Sequence, residues 1–191
     1  MRENLFSNMS KSILFLFLVV SSYCMTINAQ QGYKLWMDYS KSAGGTKDDL
    51  KYLANSVFIE EGSDILQSAK NEINMGLSEL LNQKLNFSDA MMKDNSLVVA
   101  KVSSLNEGWS LKLGLDSEKL GKEGFYIKTI DGSVLVTANT DIGLLYGVFR
   151  LLQSIQAGHD LKDFRMLDTP TVDLRMLNHW DNSPTSSPVV I

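Results

Sequence analysis

The sequence predicts an α/β fold, a two-layer α/β sandwich in which a mixed sheet carries helices on one face. Three observations predict it. Apolar residues recur at helical spacing over residues 64–83 and again over 144–155. Short runs rich in β-branched residues flank both stripes. Asp131-Gly132 separates two of those runs, and that dipeptide suits the type I′ turn whose twist matches a hairpin. The order is then strand, strand, helix, strand, hairpin, helix. Helices on one side of a mixed sheet bury both stripes.

Each element has its own signal. Residues 33–39 (Tyr-Lys-Leu-Trp-Met-Asp-Tyr) alternate and favour a strand, and Gly44-Gly45 centres the loop after it. Residues 56–60 read as a second short strand. Ser63 can then accept a bond from a free backbone N–H, and Asp64 suits the positive end of a helix dipole. The stripe Ile65, Leu66, Ala69, Ile73, Leu77, Leu80 and Leu81 makes one apolar helix face. Residues 97–102 read as a third strand, and 125–130 with 133–138 as the hairpin. The second helix starts near Thr140 or Asp141, carries Leu144, Leu145, Val148, Leu151, Leu152 and Ile155, and stops at Gly158.

Pro170 forbids a helix interior and favours an extended entry into residues 174–181. With a period of two, Leu174, Met176, Asn178 and Trp180 share one strand face, and Arg175, Leu177, His179 and Asp181 the other. No hairpin partner for this strand follows in the remaining residues.

Bulk properties exclude several functions. A net charge of −4 leaves no basic excess for phosphate contacts, so nucleic acid is not an expected partner. Arg2 and Lys11 precede the apolar run 13–20, and Ala29 offers a cleavage point, which reads as a secretory signal over residues 1–29. That run is shorter than the roughly 20 residues a membrane span needs. The alternative is an uncleaved N-terminal anchor. The expected location is secreted or periplasmic. Cys24 is the only cysteine. Tyr23 before it argues against lipidation, and cleavage after Ala29 leaves a mature chain with no thiolate chemistry. Two histidines and scattered carboxylates form no metal-ligand spacing, so no metal and no cofactor is expected.

Candidate site residues gather at Asn178-His179-Trp180-Asp181-Asn182. A carboxylate two residues from His179 could orient its imidazole, although a hydrogen-bonded histidine at a strand end satisfies the same pattern. An exposed tryptophan can stack on a sugar ring. Trp36, inside a predicted strand, reads as core; Trp109, after Gly108 in a predicted loop, reads either way; Trp180 is the best placed.

Three stretches together resemble the N-terminal region of the α-glucuronidases of glycoside hydrolase family 67. They are residues 32–36 (Gly-Tyr-Lys-Leu-Trp), residues 123–127 (Glu-Gly-Phe-Tyr-Ile) running on through 139–153 (Asn-Thr-Asp-Ile-Gly-Leu-Leu-Tyr-Gly-Val-Phe-Arg-Leu-Leu-Gln), and residues 174–182 (Leu-Arg-Met-Leu-Asn-His-Trp-Asp-Asn). The resemblance implies an N-terminal α/β accessory domain over residues 30–160, then a linker and the orphan first strand of a (β/α)8 barrel over 161–182. It implies removal of (4-O-methyl-)glucuronic acid from xylooligosaccharides by inversion, without a metal, in xylan degradation. Such a mechanism needs an acid and a base about 6.5–9.5 Å apart. In the family those carboxylates lie on later barrel strands, so no catalytic residue is expected in this chain. By the same resemblance Trp180 lines the uronic acid pocket, with His179, Asp181 and Asn182 beside it. Residues 183–191 depart from the family pattern. The expectation is an N-terminal fragment without hydrolytic activity of its own. The alternative is a stand-alone carbohydrate-binding or interaction module that uses Trp109 or Trp180.

Overall fold

The structure, a computed structural model, describes residues 38–39, 48–91 and 94–172. The chain divides into two compact units, Met1–Ser40 and Lys41–Ile191. Every element below belongs to the second. The leader, residues 33–37 of the predicted strand 33–39 and the predicted strand 174–181 lie outside the described residues. Asp38 and Tyr39, the end of the first of these strands, are described and are not in strand conformation.

After a 3-10 helix, Asp48–Asn55, the elements are β1 (Val57–Ile59), α1 (Asp64–Leu81), β2 (Leu97–Lys101), α2 (Glu107–Leu113), β3 (Phe125–Ile130), β4 (Ser133–Ala138), α3 (Asp141–Gln156) and β5 (Arg165–Asp168). The five strands form one mixed sheet in the order β1-β2-β4-β3-β5. β1 pairs with β2 and β2 with β4 in parallel, while β3 runs antiparallel to both β4 and β5.

The helix boundaries have chemical causes. Ser63 is extended, and its hydroxyl accepts from Leu66 N–H at 3.2 Å, satisfying one free donor of α1. Asn82 ends that helix in the left-handed conformation. Thr140 repeats the device for α3, accepting from Gly143 N–H at 3.2 Å. Asp131 and Gly132 both take positive φ, 50° and 78°, and Ile130 pairs directly with Ser133. The hairpin is therefore the two-residue type I′ connection that its sequence predicts.

Strand alternation assigns the two faces of the sheet. Val57, Ile59, Leu97, Val99, Val134, Val136, Phe125 and Ile127 share one face, and α3 lies against it across β2, β3 and β4. α1 packs alongside α3, so both long helices occupy this face. Close approach is possible because a Cβ on Gly147 would stand 2.6 Å from Val136 Cγ1. One on Gly143 would stand 2.6 Å from the Gly124 carbonyl oxygen.

The opposite face is also covered. Val98, Ala100, Tyr126, Ile130 and Leu135 form a second core with Trp109 and Leu113 of α2 and with Leu120. All six residues of β4 are buried as a result.

Two elements differ from the sequence reading. The segment around Gly108 and Trp109, read as a loop, forms α2 (Glu107–Leu113). Asn106 Oδ1 accepts from Trp109 N–H at 3.1 Å, and Gly114 ends the helix at φ 61°. Residues 165–168, read as connection, form β5 by hydrogen-bonding the free edge of β3.

Candidate functional site

In a sheet of this kind the carboxyl ends of the parallel strands are the ordinary place for a ligand. Here that position holds a closed polar cluster. Lys101, at the end of β2, places Nζ 3.0 Å from Glu60 Oε1 and 3.0 Å from Asp141 Oδ1. Glu60 Oε2 also accepts from Lys101 N–H at 2.8 Å, and Glu60 Oε1 accepts from the Ser104 hydroxyl at 3.0 Å. The Ser63 hydroxyl donates to Asp141, so one cluster joins β1, β2 and the first turns of α1 and α3. The three charged side chains are only 17–27% exposed.

The Ser63 hydroxyl and then Lys101 hold the Asp141 carboxyl below its ordinary value. Asp141 and then Glu60 raise the Lys101 ammonium above its own. Both shifts favour permanent charge, the reverse of a group tuned to exchange protons near neutrality. This cluster is a lock between elements.

Surface clefts open among the described residues, four of them as follows. The first, at the hairpin tip, holds about 70 Å³ and is lined by Asn106, Trp109, Lys112 and Asp131. A second, about 520 Å³, lies between Gly121, Glu123 and Pro170. The third is about 270 Å³, on the second sheet face between residues 114–119 and β5, and contains Asp116, Lys119, Tyr126 and Arg165. Asn74 and Asn82 border the last, about 390 Å³, at the end of α1. Among its described lining residues, each of the four carries at most one carboxylate.

Trp180, His179, Asp181 and Asn182 lie outside the described residues. Trp109 is 4% exposed within the second core, and its buried indole N–H has no acceptor among the described residues. It offers no ring face to a sugar. The helical cap at Asn106 turns this side chain inward, a signal visible in the sequence as Asn106-Glu107 before and Gly114 after.

A family model described as Glycosyl hydrolase family 67 N-terminus matches residues 35–151, which span every element from β1 to most of α3. An α-glucuronidase of Hypocrea jecorina is 26% identical over 172 residues, 87% of this chain and 20% of that protein. Alpha-glucuronidase A of Aspergillus tubingensis is 22% identical over 158 residues, 82% of this chain and 18% of that protein. The chain spans about a fifth of the length of these curated relatives. Among solved structures, a GH138 enzyme targeting pectin rhamnogalacturonan II aligns over 63% of this chain and 12% of its own at 25% identity, TM-score 0.45. A GH115 4-O-methyl-α-glucuronidase with specificity for decorated arabinogalactans aligns over 62% and 18% at 15% identity, TM-score 0.47.

Proposed function

The chain belongs to the glycosyl hydrolase family 67 N-terminus family, and on that premise we propose that it is the accessory N-terminal region of a secreted α-glucuronidase. The enzyme it serves removes (4-O-methyl-)glucuronic acid from xylooligosaccharides during xylan degradation, with inversion. The observation that carries this reading is the family match over four of the five strands, all of α1 and most of α3. Inversion requires two carboxylates about 6.5–9.5 Å apart around one substrate, and this reading assigns both to the catalytic remainder of the enzyme. Residues 174–182 supply the first barrel strand, and Trp180, flanked by His179, Asp181 and Asn182, contributes a wall to the uronic acid pocket.

The test compares the chain alone with the same chain fused at residue 182 to the catalytic remainder of the Hypocrea jecorina enzyme. Substrates are glucuronic-acid-substituted xylooligosaccharides. The fusion is expected to release glucuronic acid, to lose at least tenfold in kcat/KM on Trp180→Ala, and to outperform the remainder alone. The chain alone is expected to release none above background. Release by the chain alone, or a folded fusion no more active than the remainder, refutes the reading.

Export is part of the same proposal, supported by the basic start, the apolar run 13–20 and Ala29. N-terminal sequencing of exported chain should begin at Gln30. A product that retains Met1 and stays in the membrane fraction would establish the anchor instead.

A further inference from the structure

We propose that the cleft on the second sheet face, between residues 114–119 and β5, binds the carboxylate of a uronic-acid-bearing oligosaccharide. The register places Arg165 opposite Lys128 and Leu167 opposite Tyr126, so these four side chains share that face. Their surroundings separate committed charges from uncommitted ones. Lys128 Nζ donates to the Lys112 and Leu113 carbonyl oxygens at 2.6 and 3.0 Å, at the negative end of α2. Asp116 Oδ1 accepts from Glu118 N–H at 3.2 Å and caps the short 3-10 helix Ser117–Leu120.

Lys119 and Arg165 form no ion pair among the described residues. Tyr126 is 6% exposed, lines the cleft, and its hydroxyl has no hydrogen-bond partner among the described residues. The ring is packed into the second core while the hydroxyl is left open to the cleft, free to bond a ligand there. Burial raises the Tyr126 hydroxyl above its ordinary value, opposed by the nearby Arg165. It therefore remains a donor across the neutral range.

Three donors thus line the cleft: a planar guanidinium, an ammonium and a phenol. Arg165 presents two parallel N–H groups, the geometry that matches a carboxylate. Lys119, Arg165 and Asp116 sum to +1 in a chain of net −4, so the local sign is opposite to the whole. Leu115 and half-exposed Leu167 supply an apolar wall suited to the C–H face of a pyranose. About 270 Å³ admits one sugar ring. Charge and donor placement select a carboxylate. That this carboxylate belongs to a glucuronic acid branch on a xylooligosaccharide rests on the function proposed above. The site would hold decorated substrate on the accessory domain, apart from the pocket that Trp180 is proposed to line.

The experiment is titration of the 191-residue chain, by calorimetry at low salt, with three probes: glucuronic-acid-substituted xylotriose, unsubstituted xylotetraose and inorganic phosphate. The substituted sugar is expected to bind, and to weaken as salt rises. Arg165→Met should weaken it at least tenfold, and Lys119→Met and Tyr126→Phe several-fold each, with melting temperatures near that of the parent. Equal binding of the neutral oligosaccharide overturns the proposal, as does unchanged binding by a folded Arg165→Met variant. Phosphate that binds as tightly and displaces the sugar would make this a general anion site and overturn the uronate assignment. Hydrolysis by the fusion and binding by the chain are separate readouts. An inactive fusion with intact binding refutes only the function, and an active fusion without binding refutes only this site.

Discussion

Replacing Gly147 with leucine should destabilise the domain by about 3 kcal/mol or more, a large share of the roughly 5–15 kcal/mol that holds a domain folded. In an open helix a glycine costs about 1 kcal/mol relative to alanine, so filling it normally helps. Contact reverses the sign here. A Cβ at Gly147 would meet Val136 Cγ1 at 2.6 Å and the Phe125 side chain at 3.2 and 3.3 Å. Val136 is fully buried and β-branched, so its restricted χ1 leaves it little room to retreat. Gly143 is tighter in kind. Its Cβ would meet the Gly124 carbonyl oxygen at 2.6 Å, and a backbone atom cannot turn aside. Alanine at 143 should therefore cost more than alanine at 147. Gly108 is the control, because its Cβ would meet nothing closer than 3.4 Å on an exposed helix face. Urea unfolding of the four variants should rank them Gly147→Leu, Gly143→Ala, Gly147→Ala, Gly108→Ala from least stable upward. A Gly147→Leu midpoint equal to the parent's would show that α3 does not lie this close to the sheet.

Lys101→Met should cost about 2 kcal/mol near neutrality, because it strands two mostly buried carboxylates that one ammonium had joined. The pH dependence identifies the cause. Asp141 has a folded-state value below the ordinary 3.8. Its contribution is complete above that value and is lost as pH falls through the lower folded one. Lys101 is raised above 10.5, so its contribution is complete below that value and is lost as pH rises through the higher folded one. The gap in urea midpoint between parent and Lys101→Met should be widest between about pH 5 and 9 and narrow at both extremes. A gap of constant size down to about pH 2 would mean that lost packing of the lysine stem, and not charge, explains the variant.

The parts of this fold that sequence exposes are those whose chemistry is local. Ser63 and Thr140 cap helices through their own side chains, and Asp131-Gly132 sets a turn through its own φ angles. Each is readable without knowing its neighbours. β5 is not, because Arg165, Met166, Leu167 and Asp168 show no apolar alternation, and three of the four are exposed in the structure. Their strand conformation is imposed by the open edge of β3, a partner far away in the chain. α2 escapes for another reason: seven residues carry barely two turns, too few for a stripe to register. Its caps, Asn106 and Gly114, are the available signal. The reading of Trp109 depends on the same element, since only the helix turns it inward. The polar lock and the Arg165 cleft are invisible in sequence, as their members come from three or more separate elements. The residues singled out for chemistry, 179–182, lie outside the described part of the molecule.

The two-residue hairpin has a consequence in time as well as space. β3, β4 and α3 are consecutive, and their mutual contacts all fall within residues 125–156. β1 reaches β2, and β2 reaches β4, only across far longer stretches of chain. Closing short loops costs less chain entropy than closing long ones, so the ββα unit is the expected folding nucleus, and the two parallel strands add to it later. The Gly143 and Gly147 contacts belong to that nucleus, whereas the Lys101 lock bridges it to the late-arriving strands. Alanine at 147 should therefore slow refolding and leave unfolding almost unchanged, while Lys101→Met should chiefly hasten unfolding. The glycines govern how quickly this domain forms, and the lysine how long it lasts.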